Sequence, residues 1–266
     1  MVLSDNGSIP KLRVTGAAKV YAAKTGPVHA LEDFSLDVQE GELVSIVGLS
    51  GCGKTTLLWA MSGLHALTRG QILLDGTPVT GPRPLEMGMM FQDANLLPWR
   101  NLQKNIEFPF EIKKQPAAGE RIGQLLEEVG LVGFETSYPR ELSGGMQQRA
   151  SIVRALAQDP DVMLMDEPFG ALDAFTRDEM NLLLLRLWAA SGKTIVFVTH
   201  NISEAIFLAD RVVVMTPRPG RLARIYEIEL PRPRTIEMTF EPDFIEQVQE
   251  IKHMVETGGK NTVEVE

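Results

Sequence analysis

The sequence predicts an α/β protein with a mainly parallel core sheet, an antiparallel β-region near its N-terminal end and an inserted helical segment. Three observations predict it. Short apolar runs without alternation occur at Leu43-Val44-Ser45-Ile46-Val47, at Val162-Met163-Leu164-Met165 and over 194–199, as strands buried on both faces require. Each is followed by a stretch of helical periodicity, over 54–63, 177–190 and 203–209, which is the alternation of a sheet covered by helices. Between the first and second of these runs, roughly 93–158 is interrupted by prolines and turns mainly helical.

From Lys11 to Leu74 the pattern is rich in strands and broken by turns. Leu31, Phe34, Leu36 and Val38 mark a roughly alternating strand, and Gln39-Glu40-Gly41-Glu42 a turn. Ile72-Leu73-Leu74 followed by Asp75-Gly76 reads as a strand entering a hairpin. Met87 to Met90 is another short apolar run. Pro82, Pro84, Pro98, Pro109 and Pro116 interrupt the middle, after which Ile122, Leu125, Leu126 and Val129 recur at helical spacing. Residues 211–216 form a further strand. The segment past Pro217 is rich in proline and charge, with one helix over 244–255.

Composition sets bounds. The 266 residues are 44% hydrophobic and 23% charged, the values of an ordinary globular protein with a sizeable core. A net charge of −9 argues against broad nucleic-acid binding, which wants a basic surface. One cysteine, Cys52, excludes an intrachain disulfide and fits a reducing compartment. No apolar run reaches the ~18–20 residues that cross a bilayer, and Met1 to Lys11 lacks the apolar core of a signal peptide.

The chemistry is concentrated in a few motifs. Gly48-Leu49-Ser50-Gly51-Cys52-Gly53-Lys54-Thr55 fits the phosphate-loop pattern G-x-x-x-x-G-K-[ST] between a strand and a helix. Its glycines let backbone N–H groups wrap phosphates, Lys54 brings a point charge, and Thr55 a hydroxyl for Mg²⁺. Cys52, beside Lys54 and a helix N-terminus, reads as a reactive thiol that ATP should protect. Asp166-Glu167 ends an apolar strand, and ligands sit beyond the carboxyl ends of strands in such sheets. Asp166 is thus a metal candidate and Glu167 a general base. His200 closes a further strand. Leu142-Ser143-Gly144-Gly145-Met146-Gln147-Gln148-Arg149 places a capping serine and two glycines before a helix, an anion-binding arrangement.

Phosphate loop, Gln92, the Ser143 stretch, the acid pair, Asp173 and His200 follow one another in an order that resembles the ATP-binding subunits of ATP-binding cassette (ABC) transporters. The resemblance runs from about Lys11 to about Arg221. Phe91-Gln92 with Leu96-Leu97-Pro98-Trp99, Asp166-Glu167-Pro168-Phe169-Gly170-Ala171-Leu172-Asp173-Ala174, and Pro217-Arg218-Pro219-Gly220-Arg221 look like the nitrate, sulfonate and taurine importer group.

The resemblance implies a P-loop NTPase cassette with a core at 1–92 and 159–221, a helical subdomain at 93–158 and a tail at 222–266. It implies ATP and Mg²⁺ as ligands. Glu167, His200, Gln92 and Lys54 would be catalytic; Thr55, Gln92 and Asp166 would hold the metal. Tyr21 would stack on adenine, and Gly48, Ser50, Gly51, Cys52, Gly53, Lys54, Thr55 and Thr56 would hold the nucleotide. Ser143, Gly144 and Gly145 would reach ATP held by a second copy, with Asp173 crossing the dimer interface. Expected partners are that second copy, integral membrane permease subunits and, indirectly, a periplasmic or surface substrate-binding protein. The expected place is the cytoplasmic face of the inner membrane. Trp99, beside Leu97 and Pro98, is a candidate docking surface. An exporter subunit and a non-transport ABC ATPase are the alternatives; the short gap without cysteine between phosphate loop and signature speaks against repair-type ATPases.

Overall fold

The computed structural model describes residues 9–24 and 26–258. The start of the chain, read above as lacking a leader, lies largely outside the described residues. The chain divides into two compact units, one formed by residues 1–83 and 192–266 and the other by 84–191.

The first unit carries two sets of strands. Strands β1 (Leu12–Ala23), β2 (Gly26–Val38), β4 (Arg69–Leu74) and β5 (Thr77–Pro78) form an antiparallel sheet in the order β2-β1-β4-β5. The pairing is Leu12 with Val38 on one side and with Leu74 on the other, and all three side chains are buried. In the second set, β3 (Leu43–Val47) lies parallel to both β8 (Thr194–Val198) and β9 (Arg211–Met215). Strand β10 (Leu222–Glu227) runs antiparallel along β9. Every residue of β3 and β8 is buried, which is why their sequences read as unbroken apolar runs. Helix α1 (Lys54–Met61) follows β3, and α6 (Ile202–Leu208) follows β8.

The start of β9 is tied to the turn before β3. Arg211 donates to both carboxylate oxygens of Glu42 and, at 2.7 Å, to the Asp37 carbonyl. Burial alone would depress the Arg211 guanidinium, but the half-buried Glu42 outweighs it and holds it above its ordinary value. The tail packs on the same unit. Helix α7 (Pro242–Thr257) buries Phe244, Ile251 and Val255. Before it, buried Arg234 donates to the Ile206, Phe207 and Ala209 carbonyls at 2.8–3.0 Å, satisfying the C-terminal end of α6. Burial first, and then neighbouring Arg232, pull that guanidinium down to about 10, so it is charged at neutral pH.

The second unit pairs β6 (Met87–Met90) in parallel with β7 (Val162–Asp166). Between them come α2 (Leu102–Lys113), α3 (Gly119–Glu128) and α4 (Gly144–Leu156), and α5 (Ala174–Ser191) follows β7. The sequence treats Pro109 as an interruption, yet it lies inside α2. That helix is secured instead at its start, where the Asn101 side chain caps the Lys104 N–H and buried Asn105 donates to the Leu97, Arg100 and Asn101 carbonyls. Strand β10 is likewise unanticipated: its half-exposed residues give no apolar run to read. No helix among the described residues is long and apolar enough to cross a membrane.

Candidate functional site

In the first unit the phosphate loop leaves β3 at Val47 and enters α1 at Lys54. Gly51 and Gly53 hold φ of 74° and 114°, a region open to glycine and costly for other residues. The buried Lys54 reaches back across its own loop, its Nζ donating to the Gly48 carbonyl at 2.9 Å and the Leu49 carbonyl at 3.3 Å. A cation is thus held over a loop of backbone amides, which is what a polyphosphate needs. Ser50 is exposed, and Thr55 and Thr56 are half-buried on the first turn of α1.

The register of β3 with β8 brings His200 to this loop. Ile46 pairs with Val198, so Gly48 and His200, each two residues further on, leave the sheet at the same level. His200 is exposed and its two neighbours are anchored. Thr199 Oγ1 donates to Glu204 at 2.5 Å and accepts from the Asn201 N–H, while Asn201 Oδ1 caps the Glu204 N–H. This fixes the backbone on either side of the imidazole.

Tyr21 lies on β1, half-buried. Its hydroxyl is 3.0 Å from His65 Nδ1, and Lys19 Nζ is 5.0 Å from its ring centre. His65 in turn meets Trp59 of α1 edge-on, with ring centres 4.7 Å apart. The expected adenine-stacking ring is therefore tied through His65 to the helix that follows the phosphate loop.

Cys52 departs from expectation. It is only 1% exposed, and a Cβ placed on Gly48 would lie 2.9 Å from its sulfur. The thiol points into the packing beneath the loop, away from reagents in solution; what it offers a phosphate is its backbone.

In the second unit, Met90 of β6 pairs with Met165 of β7, so Gln92 and Glu167 emerge at one level. Both converge on Gly170: a Cβ there would be 3.7 Å from Gln92 Nε2 and 3.7 Å from Glu167 Oε2. Asp166 is buried at the end of β7. Glu167 holds φ of 46°, a left-handed conformation that costs a non-glycine residue about 1–3 kcal/mol and persists where surroundings impose it. Glu167 and Gln92 thus share a point at Gly170, with a strained backbone at the acid.

Ser143 caps α4, its Oγ accepting from the Met146 N–H at 3.3 Å. Asp173 caps α5 in the same manner, accepting from the Thr176 N–H and hydroxyl at 3.1 and 2.7 Å. The Thr176 hydroxyl first, then its N–H, holds the Asp173 carboxyl below the ordinary range. These two helix starts meet: a Cβ on Gly145 would be 2.8 Å from Thr176 Cγ2. Gly144 and Gly145 thus keep the Ser143 and Asp173 turns together.

Two residues missed in the sequence link α4 to the Gln92 loop. Gln148 Nε2 donates to the Gln92 carbonyl at 2.8 Å, and Arg154 donates to the Ala94 and Asn95 carbonyls at 2.7 Å each. Burial lowers the Arg154 guanidinium. The available signal was an arginine within the apolar run Ile152, Val153, Ala155, Leu156, where a charge needs a buried partner. Trp99, further along that loop, is 70% exposed.

Comparison with known proteins matches residues 31–170 to the family described as ABC transporter. The chain is 42% identical to the aliphatic sulfonates import ATP-binding protein SsuB of Bacillus cereus, over 84% of this chain and 88% of that protein. It is 48% identical to the taurine import ATP-binding protein TauB of Roseobacter denitrificans, over 76% of this chain and 75% of that protein. Among solved structures, the ATP-binding cassette MJ0796, in a dimeric post-hydrolysis state bound to ADP and Pi, superposes with a TM-score of 0.73 at 32% identity, covering 83% of this chain and all of that one.

Proposed function

The chain belongs to the ABC transporter family, and on that premise we propose that it hydrolyses ATP to drive uptake of a small organic sulfonate, taurine included, through separate membrane subunits. The observation that carries the reading is Lys54 held over its own loop by the Gly48 and Leu49 carbonyls, level with His200. On nucleotide binding, Lys54 exchanges those carbonyls for β- and γ-phosphate oxygens, and the loop amides from Gly48 to Thr56 hold the remainder. Tyr21 stacks on the base. Glu167 accepts the proton of the attacking water, Gln92 orients that water, and His200 contacts the γ-phosphate.

The Thr55 hydroxyl, the Asp166 carboxylate and the Gln92 amide are hard oxygen donors, the chemistry that suits Mg²⁺. Those three side chains would hold Mg²⁺, which would supply neutralisation of the phosphate charge.

The Ser143, Gly144 and Gly145 turn serves a second copy rather than its own nucleotide, with Asp173 at the seam, so the working unit is a two-fold dimer. SsuB and TauB are named for import of sulfonates and taurine, which supports the importer reading over the exporter and non-transport alternatives. Under this reading the chain sits peripherally on the cytoplasmic face of the inner membrane. Residues 93–158 act as the helical subdomain of a cassette whose core is 1–92 and 159–221, and engage the permease, with exposed Trp99 as a docking residue. A binding protein outside the membrane delivers the cargo. Uptake of labelled taurine and sulfonates by vesicles carrying the chain with its permease tests this: uptake that needs ATP and is lost in Lys54→Ala supports it, and uptake indifferent to Lys54→Ala refutes it.

A further inference from the structure

The turn at 216–221 has no part in the chemistry above, yet the phosphate loop rests on it. Gly220 donates its N–H to the Ala30 carbonyl at 3.0 Å and accepts from the Glu32 N–H at 3.0 Å, joining β2. A Cβ placed on Gly220 would lie 2.3 Å from the Cys52 carbonyl oxygen and 2.7 Å from Met215 Cε. Two further contacts close the same stack. A Cβ on Gly48 would lie 3.1 Å from the Met215 carbonyl oxygen, and one on Gly53 would lie 2.7 Å from the Ala30 carbonyl oxygen. The turn is braced internally by Thr216, whose Oγ1 donates to the Pro219 carbonyl at 3.1 Å and accepts from the Arg221 N–H at 2.9 Å.

We propose that this turn is the bed of the phosphate loop and that Gly220 is a positioning residue for nucleotide binding. A trans peptide points its N–H opposite to its carbonyl. Gly220 meets the carbonyl of the Cys52–Gly53 peptide, so it sets the direction of the Gly53 N–H, which faces away from the turn. That amide belongs to the set assigned above to phosphate, and the inference rests on that assignment. The φ of Gly220 lies outside the left-handed region, so alanine could adopt its backbone and only space excludes a side chain. The Met215 methyl can swing aside; the Cys52 carbonyl moves only with the loop.

The test is binding of a fluorescent ATP analogue to the full chain, with hydrogen exchange read at the amides of 49–55. Gly220→Ala should weaken binding about tenfold or more, the worth of one hydrogen bond to a charged group, and speed exchange in the loop. Adding Met215→Ala should not restore affinity. Thr216→Val, which adds no bulk, should weaken binding in the same direction and decides the matter if Gly220→Ala does not fold. Arg221→Ala removes only the exposed pair with Glu32 and should bind as wild type. A folded Gly220→Ala with wild-type affinity and loop exchange overturns the proposal, as does rescue by Met215→Ala. Wild-type binding by Lys54→Ala would instead overturn the assignment of the loop to phosphate.

Discussion

Arg154→Met separates a positioning role from simple packing. The guanidinium makes two charge-assisted bonds of 2.7 Å, to Ala94 and Asn95. Ala94 is 9% exposed and Asn95 exposed, so truncation strands one carbonyl from water while the other recovers it. A buried acceptor left without a donor costs about 1–3 kcal/mol. The middle of that range is about 2 kcal/mol. For a chain of this size that is roughly a 4–8 °C fall in Tm. The Gln92 loop then keeps its tie to Gln148 but loses the one at Ala94 and Asn95, and kcat for ATP should fall about tenfold or more with KM little changed, because a displaced amide affects the reacting geometry more than ground-state binding. Arg154→Lys should not rescue kcat, since one ammonium cannot span two carbonyls as a planar fork does. Thermal denaturation and steady-state ATPase rates read both quantities. Wild-type kcat in Arg154→Met, or full rescue by lysine, would refute the reasoning.

The remaining expectations are shorter. Arg211→Met leaves half-buried Glu42 with the Gln39 N–H but without its cation and should cost about 3 kcal/mol in chemical denaturation, with no change in nucleotide affinity of the folded protein. Cys52 in the native protein should react with a maleimide far more slowly than in urea; rapid native labelling would show that the thiol is not packed under the loop. Asp173 has a depressed carboxyl, so its cap contributes stability that is complete above the unfolded value and lost as pH falls through the lower folded value. Thr176→Val should move that titration up, followed by carboxyl NMR. Arg234→Met strands the end of α6 and should lower Tm by roughly 5 °C or more.

The sequence makes legible what repeats in simple patterns. Buried parallel strands appear as apolar runs, so the edge where Gly48 and His200 emerge, and the edge where Gln92 and Glu167 emerge, can both be found before any coordinates. Gly51 and Gly53 of the phosphate loop and the Ser143 cap are read from residue type, because glycine takes such φ at least cost and a short polar side chain caps well. What stays hidden is set by distance along the chain. Nothing local to Gly220 tells that it lies under Cys52, and nothing local to Gln148 or Arg154 names the carbonyls they hold. Burial of Cys52 is equally non-local, since its loop position alone suggests an exposed thiol. Pro109 shows the converse: a local rule against proline in helices reads it as an interruption, yet α2 carries it inside.

Size-exclusion light scattering of Glu167→Gln, with and without ATP, tests most directly the claim that this chain is an ATPase working as a two-fold dimer. The predicted result is twice the monomer mass with ATP and the monomer mass without it, in a variant that binds but does not hydrolyse the nucleotide. A variant that binds ATP tightly and stays monomeric would contradict it, and the Ser143 turn would then have no partner to serve.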